Sequence, residues 1–268
     1  MIRAELTPPL DRTGSPRPRT WPFIERRVRC LSVLNDRRRR ITRHPQPTRA
    51  LAPSLLAAGQ EIVAPEGNKR PSYSSAKRLL DIVGALFLLI AVGPLMLAVL
   101  LILTITTKGR PIYSQQRLGY RGRPFRMYKF RTMRLDAERL QATVDNEQQG
   151  PVFKNRHDPR ITPIGRVLRK YSIDELPQFF NVLVGDLSLV GPRPPLGAEV
   201  AEYGHWQRRR LAVKPGLTCL WQVSGRSEID FDNWVRMDLW YIRNQSLPTD
   251  ARLLVKTPLC VISGRGAY

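Results

Sequence analysis

Two acidic residues stand side by side at Asp174-Glu175, after Ser172-Ile173 and before Leu176-Pro177-Gln178. An ionised aspartate is a nucleophile toward phosphorus and forms an acyl phosphate. A neighbouring glutamate can hold a magnesium ion or take a proton. The same residues also spell S-x-x-E, the spacing of a capping box that merely starts a helix. Both readings put the pair at a helix N-terminus, whose partial positive charge keeps a carboxylate ionised and welcomes phosphate. Arginines are close in sequence. Arg169 lies just upstream, and Arg193 sits in Gly191-Pro192-Arg193-Pro194-Pro195. The prolines there would fix where the guanidinium points, as bidentate phosphate binding wants. Arg226 occupies another tight polar turn, Ser224-Gly225-Arg226-Ser227. Taken singly, each fits a solvated loop as well. Asp230-Phe231-Asp232 has the D-x-D form that some nucleotide-sugar enzymes use for metal, but capping of the following helix accounts for it better. The chain has no G-x-x-x-x-G-K-[ST] and no G-x-G-x-x-G, so a phosphate site must be built from arginines and helix N-termini.

The element that places this chemistry in the cell precedes it. From Ile82 to Ile105 no residue is charged. As a helix this run reaches ~36 Å, against a bilayer core of ~30 Å. Gly93-Pro94 interrupts its middle, where proline removes a backbone donor. Lys77 and Arg78 precede it, and Lys108 and Arg110 follow. Basic flanks favour the cytoplasmic side, and here both ends are basic. The run reads either as a re-entrant hairpin that enters and leaves on one face or as a spanning helix with a tolerated proline.

Downstream, Ile112–Gly119 and Phe125–Arg131 read as two short strands around a turn at Arg121-Gly122-Arg123-Pro124. Helices are expected over 135–149, 164–171, 172–184 and 199–213. Another follows Asp230, with Phe231, Trp234, Val235, Tyr241 and Ile242 on its apolar face. A last one runs from about Asp250 to Gly264 and holds Pro258. The fold class expected is α+β, mainly helical: a membrane segment over 77–107, then a compact cytoplasmic catalytic domain over 108–268. Residues 1–70 differ in kind. They are rich in Arg and Pro, carry Arg37-Arg38-Arg39-Arg40 and lack a long period, so they read as a disordered basic extension with one short apolar patch at Leu51–Ala58.

The net charge of +22 calls for an anionic partner: nucleic acid, anionic lipid or a phosphorylated substrate. Beside a membrane segment, lipid and phosphate come first, and no nucleic-acid recognition motif is present. Cys30, Cys219 and Cys260 form no CxxC and no zinc spacing, which fits a reduced compartment.

Read together, the motifs resemble the bacterial sugar transferases, the monotopic polyprenyl-phosphate phosphoglycosyl transferases of exopolysaccharide and O-antigen assembly. The resemblance runs from Lys77 to Tyr268. It rests on Lys77-Arg78-Leu79-Leu80-Asp81, Pro94, Tyr128-Lys129-Phe130-Arg131-Thr132-Met133 and Asp158-Pro159-Arg160-Ile161-Thr162. Ser172 to Gln178, Gly185 to Pro194, Pro215-Gly216-Leu217-Thr218 and Trp221 to Arg226 complete the ordered set. The resemblance implies a reaction in which a UDP-sugar and polyprenyl phosphate give polyprenyl-diphosphate-sugar and UMP, with magnesium. It implies that Asp174 is the nucleophile of a phosphosugar-enzyme intermediate, that Glu175 is its partner, and that Asp174 and Glu175 meet the metal. Arg169, Arg193, Arg226, Lys129 and Arg131 become the substrate- and phosphate-binding candidates, and Pro94 the apex of a re-entrant hairpin. The expected partners are UDP-sugar, polyprenyl phosphate and membrane lipids, without nucleic acid and with room for a homo-oligomer. The expected place is the cytoplasmic face of a bacterial inner membrane. The chain looks like the compact type of the family, without the N-terminal membrane helices and extra domain of larger members. Its ending, Ser263 to Tyr268, is similar to members that transfer glucose 1-phosphate or galactose 1-phosphate. Two residues depart from the family pattern: Cys219 stands where glycine is usual, and Ile173 where leucine is common.

Overall fold

Pro71–Thr106 form one long helix, α1, in a computed structural model that describes residues 71–147, 150–225 and 229–263. The expectations for residues 1–70, for Arg226 and for residues 264–268 fall outside the described residues. The apolar length of α1 suffices to cross a membrane, and little of that stretch is buried in the protein. Pro94 lies inside the helix without ending it. The end comes at Lys108 and Gly109, both with positive φ, where Gly109 N donates to the Thr104 carbonyl at 2.8 Å. Such a left-handed closure satisfies carbonyls that would otherwise lack donors.

The aromatic and basic alternation after α1 gives the hairpin it predicts. β1 (Ile112–Leu118) pairs antiparallel with β2 (Pro124–Phe130), from Ile112 opposite Phe130 to Leu118 opposite Pro124. α2 (Pro163–Lys170) is capped by Thr162, whose Oγ1 accepts from Gly165 N at 3.0 Å. Glycine is needed at 165, because any Cβ there would collide with the Thr132 backbone. A 3-10 turn at Ile173–Glu175 leads into α3 (Gln178–Val184) and β3 (Ser188–Val190). Two short helices follow, α4 (Gly197–Ala201) and α5 (His205–Arg208). β4 (Gly216–Thr218) pairs parallel with β3. α6 (Phe231–Arg243) and α7 (Leu247–Ser263) close the described chain.

Three expected helices change. Over 135–147, the described part of the expected 135–149 helix, the polar chain has turns and a 3-10 turn at Gln141–Thr143, since it offers no apolar stripe to bury. The 199–213 helix is broken at Gly204 into α4, α5 and a 3-10 turn at Arg209–Ala212. The 172–184 helix begins only at Gln178, with consequences for the acidic pair described below. Cys219 needs no glycine-like backbone: its φ is not positive, and its N and Sγ both donate to Gln222 Oε1 at 2.9 Å.

α1 reaches two apolar clusters of the described residues. Its N-terminal half puts Ala85 against Val182, Leu187 and Leu189. Its C-terminal half puts Val99 and Leu103 against Phe130 and Leu168. Leu176 packs on both clusters. Each fully buried side chain of this size contributes ~1.5–3 kcal/mol. Polar anchors fix the N-terminal half. Lys77 pairs with Asp250 at 2.8 Å, and Arg78 donates to the carbonyls of Val182 and Leu183, both at 2.7 Å. Asp81 accepts from Ser188 Oγ and Leu189 N, both at 2.9 Å. The opposite face of α1 is bare: Phe87, Ile90 and Ile105 are 68%, 71% and 83% exposed.

Candidate active site

The acidic pair does not begin an α-helix. Ser172 takes a left-handed conformation, φ 54°, which turns the chain sharply after α2. Its side chain makes no capping bond, and Pro177 stands between the turn and α3. Glu175 does not reach back to Ser172 either. Its Oε1 accepts from Lys129 Nζ at 2.6 Å. The S-x-x-E spacing therefore makes no capping box. Ile173 and Leu176 face the apolar cluster that includes Val99 and Leu103 of α1, so the pair sits where the membrane-type helix docks.

Lys129 owes its position to β2 and to Asn181. The Asn181 amide, buried on α3, accepts from Tyr128 N at 3.1 Å and donates to the Arg126 carbonyl at 2.7 Å. It thus completes the outer edge of β2 and locks the strand to α3. Lys129 Nζ then lies 4.0 Å from Asp174 Oδ2 as well. The electrostatics split the two acids. Burial pushes the Asp174 carboxyl up to about 6, with Glu175 adding to the rise and Lys129 and Arg169 opposing it. Burial also acts on Glu175, but Lys129, Arg193 and Arg117 outweigh it and hold that carboxyl below its usual range. Two adjacent carboxyls with separated affinities for protons are what divided acid-base roles require.

The other predicted cations surround a cavity of about 380 Å³ that Asp174 and Glu175 line. Arg169, at the last turn of α2, donates Nε to Thr132 Oγ1 at 2.9 Å. Arg193 lines the cavity from the Gly-Pro-Arg-Pro-Pro loop. That loop is pinned on both sides, by Leu118 N to the Pro195 carbonyl and Gly216 N to the Pro192 carbonyl, each at 2.9 Å. Arg131 lines the rim, its Nε on the Arg110 carbonyl at 2.7 Å and its guanidinium over the Tyr113 ring. Arg169, Arg193, Lys129 and Arg131 are thus brought together.

Residues that the motif reading passed over share the cavity. Arg117 is buried on β1 and donates to the Pro194 carbonyl at 3.2 Å, bracing the loop of Arg193. Burial lowers its pKa to about 10. The strand period could have flagged it, since Tyr113, Gln115 and Arg117 share one face. Lys154 lines the cavity from the loop before α2. Asp158 and Arg160 line it too, but as a buried pair at 2.7 Å that neutralises itself. Asp230 and Asp232 do not line it. Asp230 caps α6 through Asn233 N at 2.8 Å, which confirms the capping reading of D-x-D.

Among the described residues no three His, Cys, Asp or Glu side chains converge as a ready metal cage. Magnesium asks for less: it keeps most of its waters and takes one or two carboxylates plus substrate phosphates. Asp174 and Glu175 fit that sparse set.

Sequence comparison identifies the family. The model of the family described as "Bacterial sugar transferase" matches residues 72–264. The chain belongs to the bacterial sugar transferase family. It is 50% identical over 200 residues to "Galactosyl transferase CpsE" of Streptococcus agalactiae serotype III, covering 73% of this chain and 44% of that protein. It is 44% identical over 199 residues to "Undecaprenyl-phosphate galactose phosphotransferase" of Salmonella typhimurium, covering 72% and 41%. To "Exopolysaccharide production protein ExoY" of Sinorhizobium fredii it is 38% identical over 208 residues, covering 75% and 92%. The chain thus spans less than half the length of the Streptococcus and Salmonella relatives and nearly all of ExoY.

Proposed function

We propose that this protein transfers a sugar 1-phosphate, galactose or glucose, from a UDP-sugar to undecaprenyl phosphate and releases UMP. This would be the first membrane step of an exopolysaccharide or lipopolysaccharide. The observation that carries the reading is the setting of Asp174: a buried carboxylate among Lys129, Arg169 and Arg193, on a turn packed against α1. The cations offer a diphosphate its counter-charge, and the apolar helix beside them brings the site to a lipid-borne acceptor. The names of the Salmonella and Streptococcus relatives support galactose as the first sugar to test.

Asp174 Oδ attacks the phosphorus that bears the sugar, and the bond to the bridging oxygen breaks with its electron pair leaving on UMP. A phosphate oxygen of the acceptor then attacks the same phosphorus and frees Asp174. Glu175, kept ionised by Lys129, orients that lysine toward both the nucleophile and the phosphoryl oxygens. Magnesium, held by Asp174 and Glu175 with the substrate phosphates, would add positive charge where negative charge gathers.

The re-entrant form of α1 and its cytoplasmic exposure belong to the same proposal. Both halves of α1 dock on one domain: Lys77, Arg78 and Asp81 near its start, Val99 and Leu103 near its end. A spanning helix would carry its ends to opposite sides of the bilayer, which conflicts with a shared domain. The deciding experiment incubates membranes containing the protein with polyprenyl phosphate and a panel of UDP-sugars. UMP is the nucleotide expected. Release of UDP would instead mean transfer of the sugar without its phosphate and would overturn the reading.

A further inference from the structure

Two glutamines from separate motifs meet beside the acidic pair. Gln178 ends the motif that runs from Ser172, and Gln222 belongs to the one that opens at Trp221. Both line a recess of about 10 Å³ together with Lys129, Glu175 and Arg193. Lys129, Glu175, Arg193 and Gln222 also line the cavity that contains Asp174, so the recess adjoins that cavity. Its room suits a single oxygen atom, since a bound water takes ~10–15 Å³. Gln178 is 3% exposed, and its Nε2 is buried without a hydrogen-bond partner among the described residues. Gln222 Oε1 accepts from both Cys219 N and Cys219 Sγ at 2.9 Å, which fixes the amide and leaves Nε2 as the end that can still donate.

A buried donor left unpaired is costly, so the recess suits an acceptor. Its walls favour one kind. Glu175 is the carboxylate among the lining residues, and its Oε1 already accepts from Lys129 at 2.6 Å. Against it stand Lys129, Arg193 and two amides, a surplus of donors that calls for an anionic oxygen. Lys129 connects the recess with the reacting centre, because its Nζ lies 4.0 Å from Asp174 Oδ2. A phosphorus bonded to Asp174 Oδ carries its other oxygens into that neighbourhood, and charge is spread over those oxygens in the transition state. Neutral amides are suited to meet it. They donate without repelling Lys129 or Arg193 and do not change state with pH.

We propose that Gln178 and Gln222 are catalytic residues whose Nε2 groups hold one non-bridging oxygen of the sugar-bearing phosphate in this recess. This rests on the reaction proposed above. As the Asp174 Oδ–P bond forms and the P–O bond to the bridging oxygen breaks, the electron pair leaves on UMP. The two amides give hydrogen bonds to the phosphoryl oxygen and no proton. The acceptor then attacks the same phosphorus, so the recess serves both halves of the reaction.

The test uses the full chain in membranes. Wild type, Gln178→Met and Gln222→Glu are given UDP-galactose, and UMP release and discharge of the phosphosugar adduct by polyprenyl phosphate are timed separately. Methionine keeps the length of the side chain at 178 and removes its amide. Glutamate keeps the acceptor for Cys219 and replaces the donor with a negative charge. Both halves should slow by about 100-fold in either variant, while the Tm of Gln178→Met stays level or rises, because an unpaired buried donor is gone. A second readout replaces one non-bridging oxygen of the sugar-bearing phosphate with sulfur, which is larger and a weaker acceptor. Wild type should prefer one of the two diastereomers by about 30-fold or more, and in each variant the preference should shrink to within about 3-fold. Unchanged rates in Gln178→Met, slowing of one half alone, no preference in wild type, or a preference that persists in the variants overturns the glutamine site while the parent reaction stands. So does a wild-type preference that vanishes when cadmium replaces magnesium, which would assign that oxygen to the metal. A Gln178→Met protein that loses Tm together with activity marks a buried structural water and also overturns the site. Absence of UMP and adduct from wild type with unmodified UDP-galactose overturns the parent reaction and the site with it.

Discussion

Replacing Lys129 by methionine should move the acid limb of activity, and the size of the move follows from the geometry. Lys129 Nζ lies 4.0 Å from Asp174 Oδ2, with the two side chains 19% and 9% exposed. Unit charges at that distance interact by ~4 kcal/mol at an effective dielectric near 20, about three pKa units. Partial hydration and the closer contact of Lys129 with Glu175 reduce this, and half is a reasonable share, about 1.5 units. Removing a cation raises a carboxyl pKa, so Asp174 should move from about 6 upward to ~7.5. In the proposed mechanism Asp174 attacks as the ionised carboxylate. At pH 6.5 its ionised fraction then falls on the order of eight-fold, and at pH 9 hardly at all. The assay is kcat/KM for the UDP-sugar from pH 5 to 9.5, which reports the free enzyme. The variant should lose most at low pH and recover toward pH 9, with any loss of phosphate binding added as a constant factor. If the limb stays near pH 6 in Lys129→Met, with the same loss at every pH, Lys129 is a substrate contact alone and the electrostatic reasoning is wrong. Stability has its own sign. A carboxyl raised in the folded state favours folding below its unfolded pKa of about 3.9, and that contribution is lost as pH rises through the folded value. Asp174 therefore costs stability above pH about 6, and Asp174→Asn should raise Tm at pH 8 more than at pH 4.

Asp174→Asn should also abolish both UMP release and the hexose-phosphate mass on the peptide that holds residue 174, and an active variant would rule out the covalent route. Arg193→Lys keeps the charge but not the fork, and should lose about 2 kcal/mol or more of transition-state stabilisation in kcat/KM. Chelation of divalent cations should weaken donor turnover and leave the unfolding temperature within a few degrees, as measured by calorimetry. Single cysteines at positions 72 and 107 should both be labelled from the cytoplasmic side, and labelling from opposite faces would establish a spanning helix. Asp81→Leu strips Ser188 Oγ and Leu189 N of their acceptor and should cost about 2–4 kcal/mol in unfolding experiments.

Much of this was legible in the sequence because it is local. The β1–β2 hairpin announces itself by alternation around the turn at Arg121-Gly122-Arg123-Pro124, α2 falls on the helix expected over 164–171, and α6 is marked by Asp230 before an apolar face. The cationic cluster was legible in part. Arg169, Arg193, Lys129 and Arg131 do converge on one cavity, drawn from α2, a proline loop and the end of the hairpin. What failed is instructive. The capping box at Ser172 has the right residues at the right spacing, yet a box needs reciprocal bonds that Glu175 gives to Lys129 instead. A long-range ion pair beat a local cap, and no window of sequence contains both partners. Arg117 was passed over for the same reason. Its meaning lies in Pro194, which is remote in the chain.

The basic residues before the apolar run show how one sequence signal can serve two physical ends. Lys77 and Arg78 read as a charge flank that fixes orientation, and they are largely occupied within the protein. Lys77 is held by Asp250, which also accepts from Tyr73 and Tyr241. Arg78 covers carbonyls at the C-terminal end of α3, where a cation is favoured by the helix dipole. That same helix follows the turn bearing Asp174, so Arg78 fixes the membrane-type helix and Asp174 relative to each other through the seven residues of chain between Glu175 and Leu183. Asp81 repeats the logic on β3, and Val99 and Leu103 do so from the other half of α1. The transfer to a lipid phosphate proposed above would require Asp174 to stand at a fixed depth relative to the bilayer. Docking α1 at both halves onto the elements that flank Asp174 meets that requirement by packing, with the charged motif acting as the clamp.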